Sequence, residues 1–263
     1  MTAKARKRDR QQTVTASRPA QLPFDLPHRP SLARDDLIVT DANRLAVSAI
    51  DSWPAWGHPV LLIVGPPGSG KSHLAAAWAE MSGATVFTGE PPAPPFALVI
   101  DDIDRSPADE TAIFGAVNAA RLGGGFVLAT ARAHPSEMRL RLADLRSRLQ
   151  AATLVETGRP DDALLVGVLS KLFADRQIAI DPKLVHYLSL RMERSLEQAS
   201  RIVAAVDREA LASKEKVTRA LLQRVLERSG LSPAAEDASG PAHAALPGRT
   251  DDIARGSLPP EED

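Results

Sequence analysis

A chain of 263 residues with 44% hydrophobic content is long enough to bury one sizeable core, or one core with a small satellite. Its 32 basic and 33 acidic residues leave a formal net charge of -1, which excludes a global electrostatic pull toward nucleic acid or an anionic membrane. With no cysteine there is no disulfide, thiolate metal site or cysteine nucleophile, and no apolar run approaches the roughly 18 residues of a membrane span, so a cytoplasmic location is expected.

Composition divides the chain into an irregular arm (1–34), a body, and a tail (231–263) rich in Pro, Gly, Ala and Asp that is expected to be disordered. The basic start (Lys4, Arg6, Lys7, Arg8, Arg10) is followed by no apolar segment and so is not a secretory signal; it reads as a solvated tail that could brush DNA. In the body, 60–64 (VLLIV) is an apolar strand, followed by a Gly-rich loop and a helix over 72–81 closed by Ser82 and Gly83. A second strand is predicted over 84–88 and a third over 96–100, the latter apolar throughout as a strand covered on both faces should be. Ser106, Pro107 and Asp109 form a capping pattern for a helix that runs to Leu122, before Gly123, Gly124 and Gly125. Strands follow over 126–130 and 153–156. From Asp161 the periodicity is helical only: Leu164, Leu165, Val168, Leu169, Leu172 and Phe173 make one stripe, and two or three further helices fit between Asp181 and Arg228. The expected fold is an α/β nucleotide-binding domain over 35–159, with a parallel sheet of about five strands, and a small all-helical domain over 160–230.

The loop Gly65, Pro66, Pro67, Gly68, Ser69, Gly70, Lys71, Ser72 fills every fixed position of the GxxxxGK[ST] phosphate loop, in the strand-loop-helix context that the motif requires. Glycines let backbone amides turn toward phosphate oxygens, Lys71 reaches the outer phosphates, and the Ser72 hydroxyl can hold Mg2+. The following helix aims its positive end at the same anion. An ordinary Gly-rich turn is the bland alternative, and a full match across the eight-residue motif, at each of its four fixed positions, argues against it. His73 adjoins the loop and falls within the nucleotide-binding stretch; the six histidines lack metal-ligand spacing.

The third strand delivers Asp101 and Asp102 at its end. Asp101 can bind Mg2+ directly or through water, and Asp102 stands where an acid would orient the attacking water. An acidic turn after a buried strand would be preferred if no phosphate loop stood upstream. Aspartate is one methylene shorter than glutamate, which places Asp102 poorly for efficient turnover. A P-loop ATPase with weak intrinsic hydrolysis at most is expected.

Taken in succession, GPPGSGKSHLAAAWA, ALVIDDID, FVLATAR, LRSRL and RMERSLEQASRIV resemble the AAA+ module of the DnaA-related ATPases, over most of the chain. The resemblance is nearest to the short Hda-type regulatory-inactivation factors, which lack the C-terminal helix-turn-helix domain; no room for one is expected after Arg228. It implies ATP or ADP with Mg2+ as cofactors. It also implies that Thr130 occupies the sensor 1 position, Arg148 is the arginine finger that reaches a neighbouring subunit's nucleotide, Arg194 is sensor 2, and Leu37 and Ile38 pack on the adenine. Read alone, Arg148 is one of several arginines on a solvated helix face, and Arg194 a surface or capping residue. A guanidinium supplied in trans can raise NTP hydrolysis by on the order of a thousandfold or more.

In the arm, Gln21, Leu22, Pro23, Phe24, Asp25 and Leu26 resemble the short peptide with which Hda-type factors grip the DNA polymerase sliding clamp, its β subunit. An extended segment can seat Leu22 and Phe24 or Leu26 in a pocket while Gln21 hydrogen-bonds at its rim. By composition alone these residues would instead be an apolar strap on the domain, and Pro23 and Asp25 depart from the commonest form of the peptide. The partners implied are the DnaA initiator, the clamp, DNA indirectly through both, and further copies of this chain. The implied function is negative regulation of replication initiation; the rivals are an autonomous DNA-loading motor and an adaptor that promotes initiation.

Overall fold

Five parallel strands form the centre of the computed structural model, which describes residues 33–229 apart from 92, 107 and 108. The arm peptide at Gln21, Leu22, Phe24 and Leu26 and the tail over 231–263 lie outside the described residues. In chain order the sheet comprises β1 (Val60–Val64), β2 (Thr85–Val86), β3 (Phe96–Ile100), β4 (Gly125–Ala131) and β5 (Thr153–Glu156), arranged β2-β3-β4-β1-β5. Helices α1 (Arg44–Asp51), α2 (Lys71–Ser82), α3 (Glu110–Ala119) and α4 (Ala143–Gln150) cover its two faces.

The strand sequences explain this layering. A strand sends alternate side chains to opposite faces, so one apolar throughout needs partners on both. In β1, Val60, Leu62 and Val64 pack with Ile113 and Val117 of α3 and Leu145 and Leu149 of α4. Leu61 and Ile63 point the other way, onto Val47 and Ile50 of α1 and Leu74 and Trp78 of α2. Each such side chain taken out of water is worth about 1.5–3 kcal/mol, which makes β1 a rigid base for the loop that follows it.

Helices α5 (Asp162–Asp175), α6 (Pro182–Ser189), α7 (Leu196–Ser213) and α8 (Arg219–Ser229) gather round a separate core of Leu165, Leu169, Phe173, Ile202, Val203 and Leu222. Their starts are set locally. Asp161 accepts from the Leu164 amide at 2.7 Å, Asp181 from Lys183 at 2.8 Å ahead of Pro182, and Ser195 from Gln198 at 3.3 Å. Of the predicted stripe on α5 every member is buried except Val168, which is half-buried.

Two elements differ from the sequence-based expectation. The strand predicted over 84–88 is reduced to Thr85–Val86, an exposed edge pair bonded only to β3. Only the Phe87 amide carries the pairing further, donating to the Val99 carbonyl at 2.9 Å, and with its other side unpaired the strand has no second neighbour to hold it extended. The helix predicted to reach Leu122 ends at Ala119 and passes into one π turn, Ala120–Gly124, in which Gly123 has φ 89°. Asp109 stands at the N-cap of α3 without a side-chain cap bond. Glu110 instead accepts from the amides of Arg141 and Leu142 at 3.1 and 2.7 Å, tying the start of α3 to the approach to α4.

Candidate functional site

The loop between β1 and α2 is pinned at both ends. The Gly65 amide donates to the Ala131 carbonyl at 3.1 Å, continuing the β1–β4 register past Val64. At the other end Gly70, with φ 94°, caps α2, a left-handed conformation open to glycine at little cost. Gly68 also lies in the left-handed region, φ 72°, and a Cβ there would sit 2.1 Å from Ser195 Oγ. The Gly68 carbonyl accepts from the Leu196 amide at 2.8 Å, so the first turn of α7 rests directly on the loop.

Lys71 is only 6% exposed, and its Nζ donates to the carbonyls of Gly65 and Pro66 at 2.8 and 2.9 Å. Burial pushes its pKa below the usual lysine value; Asp102 pulls against this and Arg132 adds to it. Ser69 shares a 2.9 Å hydrogen bond with Thr157 just past β5. A buried ammonium folded onto its own loop, glycines where side chains would collide, and a helix N-terminus together form a cradle that fits a polyphosphate.

The ends of β3 and β4 meet at the same place. Thr130, fully buried, donates from Oγ1 to Asp101 Oδ1 at 2.5 Å and accepts from the Asp102 amide at 2.8 Å. The Ile103 amide donates to the Thr130 carbonyl at 2.8 Å. This hub turns the chain sharply, leaving Asp102 at φ 49°, a region that aspartate tolerates better than most residues. The Asp102 carboxylate is forked by Arg132, through Nη2 at 2.7 Å and Nε at 3.4 Å. That bond holds Asp102 below the ordinary carboxylate range.

Phosphate loop, Asp102 and Arg132 line one end of a cleft of about 350 Å3, within the range of about 300–1,000 Å3 typical of small-molecule sites. At the other end Leu37 and Ile38 face Leu164, Val168 and Leu172 of α5, beside an ion-paired cluster in which Lys171 meets Asp36 at 3.3 Å and Asp175 at 2.9 Å. Asn43 holds the Ile38 segment in place, donating to the Ile38 carbonyl at 2.8 Å and accepting from the Thr40 amide at 2.9 Å. His73 also lines the cleft; its Nε2 is buried without a hydrogen bond, and burial pushes its pKa down. With a phosphate cradle at one end and, at the other, an apolar wall flanked by paired charges, the cleft suits phosphates and a base. Among the described residues no cluster of three or more His, Cys, Asp or Glu could hold a metal alone. Mg2+ would therefore depend on Ser72, an acid at the end of β3 and phosphate oxygens, the mode usual for this ion.

Gly65 to His73, Leu37, Ile38, Asp101, Asp102 and Thr130 are thus brought together. Arg194 stands apart: its Nη2 pairs with Asp162 at 2.7 Å and its Nη1 donates to the Pro160 carbonyl at 3.3 Å, and it does not line the cleft. Arg148, on α4, is half-exposed, and its side chain makes no hydrogen bond or ion pair with the described residues. Arg132 is absent from the sequence-based candidates. The signal was available, since Arg132 directly follows β4, at whose tip Thr130 was already placed.

The fold is that of the AAA+ P-loop ATPases. Domain III of the replication initiation protein DnaA from Thermotoga maritima superposes with a TM-score of 0.64 at 14% identity, over 77% of this chain and 98% of that one. The Thermotoga maritima RuvB Holliday junction branch migration motor gives 0.59 at 18% identity, over 76% and 72%. A replication initiator DnaA bound to AMPPCP and single-stranded DNA gives 0.57 at 17%, over 77% and 69%. No family model matches the sequence, and no curated protein matches it. Among the described residues no helix is long and apolar enough to cross a membrane.

Proposed function

We propose that this chain is an adenine-nucleotide-binding regulator of replication initiation, which stimulates ATP hydrolysis by the DnaA initiator and so inactivates it while held on the sliding clamp. The observation that carries this reading is a contrast between two side chains. Asp102, the acid that would orient water in this chain's own cleft, is one methylene shorter than a glutamate and so reaches the attacking water poorly. Arg148 is half-exposed and unpaired among the described residues. That combination favours weak hydrolysis in cis and an arginine available in trans.

Likeness in fold to DnaA domain III supports the choice of partner, since AAA+ modules of one shape can stack so that one supplies a guanidinium to the next module's nucleotide. ATP or ADP with Mg2+ in this chain's cleft would supply a conformational signal. Gly68 and Leu196 would carry it from the phosphate loop to α7, and Arg194, moved off Asp162, would serve as sensor 2. The segment containing Gln21, Leu22, Phe24 and Leu26 would bind the clamp, bringing the protein to DNA, and self-association would hold idle copies.

The test is DnaA ATP hydrolysis reconstituted with clamp and DNA. Wild type should stimulate it strongly while turning over little ATP alone, and Arg148→Ala should abolish the stimulation. Full stimulation by Arg148→Ala would overturn the mechanism. Substantial turnover without DnaA would favour an autonomous motor, and increased origin firing an adaptor that promotes initiation. Clamp retention unchanged by Gln21→Ala with Leu22→Ala would remove the clamp from the proposal.

A further inference from the structure

The geometry points to Arg132 as a ligand, in cis, of the terminal phosphate of a bound nucleoside triphosphate, with Asp102 holding the guanidinium in reserve until that phosphate arrives. This assignment rests on the nucleotide reading of the cleft and adds what distinguishes a triphosphate from a diphosphate there.

Arg132 follows Ala131, whose Cα registers with Val64 and whose carbonyl accepts from the Gly65 amide, so its Cα is set beside the start of the phosphate loop. Its backbone is anchored separately from its side chain. The amides of Arg132 and Ala133 both donate to Asp104 Oδ2, at 3.1 and 3.3 Å. The guanidinium can therefore exchange partners without moving the strand. It is 35% exposed, and it is the only arginine among the described residues that lines the cleft.

Carboxylate and phosphate present the same fork of two oxygens to a guanidinium, and a terminal phosphate bears more charge than one carboxylate. A triphosphate with its β- and γ-phosphates on Lys71 thus competes for Arg132 against Asp102. A diphosphate, lacking the outer group, leaves the Asp102–Arg132 pair intact. Glu197, on the first turn of α7 and lining the same cleft, is an acidic neighbour of Arg132 and of Arg201, with which it pairs at 2.5 Å. Capture of Arg132 by phosphate would alter the field at the start of α7, where Leu196 rests on Gly68.

The test is equilibrium binding of Mg2+-ADP and a Mg2+-bound non-hydrolysable ATP analogue to the full chain. Arg132→Ala should weaken the analogue by about tenfold or more, the scale of one charge-assisted contact, with ADP within about twofold of wild type. Arg132→Lys, which keeps a charge without the fork, should fall between. Asp102→Asn, which releases the guanidinium, should tighten the analogue relative to ADP and decides the matter if Arg132→Ala fails to fold. Equal losses for both nucleotides in Arg132→Ala, no loss for either, or an unchanged ratio in Asp102→Asn would overturn the assignment. A different failure marks the cleft reading itself: wild type that binds neither nucleotide, or Lys71→Ala that binds both as well as wild type.

Discussion

The Gly68 carbonyl accepts a 2.8 Å hydrogen bond from the Leu196 amide, joining the phosphate loop to the first turn of α7 across 128 positions of sequence. Gly68 has φ 72° and lies so close to Ser195 that a Cβ would fall 2.1 Å from the hydroxyl. Gly68→Ala therefore meets both backbone strain and a collision. The expected outcome is a loss of about 1–3 kcal/mol in thermal unfolding and weakened binding of ADP and ATP alike, read by titration at a temperature where the variant is folded. A variant as stable as wild type that binds both nucleotides normally would show that α7 does not rest on the loop.

Thr130 is the shared partner of Asp101 and of the Asp102 amide. Thr130→Val keeps shape and burial and removes the hydroxyl, so the Asp102 N–H loses its acceptor in a half-buried turn. The expected cost is about 1–3 kcal/mol in denaturant unfolding, with faster amide hydrogen exchange at Asp102. Thr130→Ser, which retains the hydroxyl, should restore the protection.

Arg34 grips Asp51 through Nε at 2.6 Å and Nη2 at 2.5 Å, holding the segment that leads into Leu37 against the end of α1. The pair lowers the Asp51 pKa from its ordinary 3.8, chiefly through the Arg34 hydrogen bond. A carboxyl whose folded pKa is depressed contributes stability above its unfolded pKa and loses it as pH falls through the folded value. Asp51→Asn should thus be less stable than wild type near neutrality, and the difference should shrink below pH 3.8 and vanish at more acidic pH. A difference constant down to the acid limit would mean that the charge of Asp51 is not what matters.

Phe173 is fully buried at the centre of the helical core, among Leu169, Ile202 and Leu222. Phe173→Ala should cost about 3–5 kcal/mol through lost transfer energy and the cavity left behind. Because α5 also supplies Leu164, Val168 and Leu172 to the cleft, the same variant should bind nucleotide more weakly. Phe173→Leu, which keeps most of the volume, should recover most of both.

Much of this was legible along the chain because its determinants are local. Apolar runs marked β1, β3 and β4, bounded by Gly65, by Asp101 and by the glycines before Phe126, and helical periodicity set in from Asp161, because a strand run or a helix start is decided within a few residues. The phosphate loop belongs to the same class: its glycines, Lys71 and Ser72 are contiguous, so their joint geometry is written in their spacing. Where strand 84–88 shrank to two residues and α3 gave way to a π turn, the deciding facts were the absence of a second sheet neighbour and the left-handed Gly123, neither of which periodicity reports.

The pairings at the site belong to tertiary structure alone. Asp102 and Arg132 are 30 positions apart, and they meet because β3 and β4 are neighbours in the register that sets Ile100 opposite Ala129. Sequence singled out Arg148 and Arg194 among the arginines, whereas the fold left Arg194 on Asp162 and put Arg132 in the cleft. An arginine keeps its charge wherever it stands, so its residue type carries almost no positional information. Which carboxylate it meets depends on strand order and helix docking, and those follow from the burial of two cores rather than from the arginine's own neighbours in the chain.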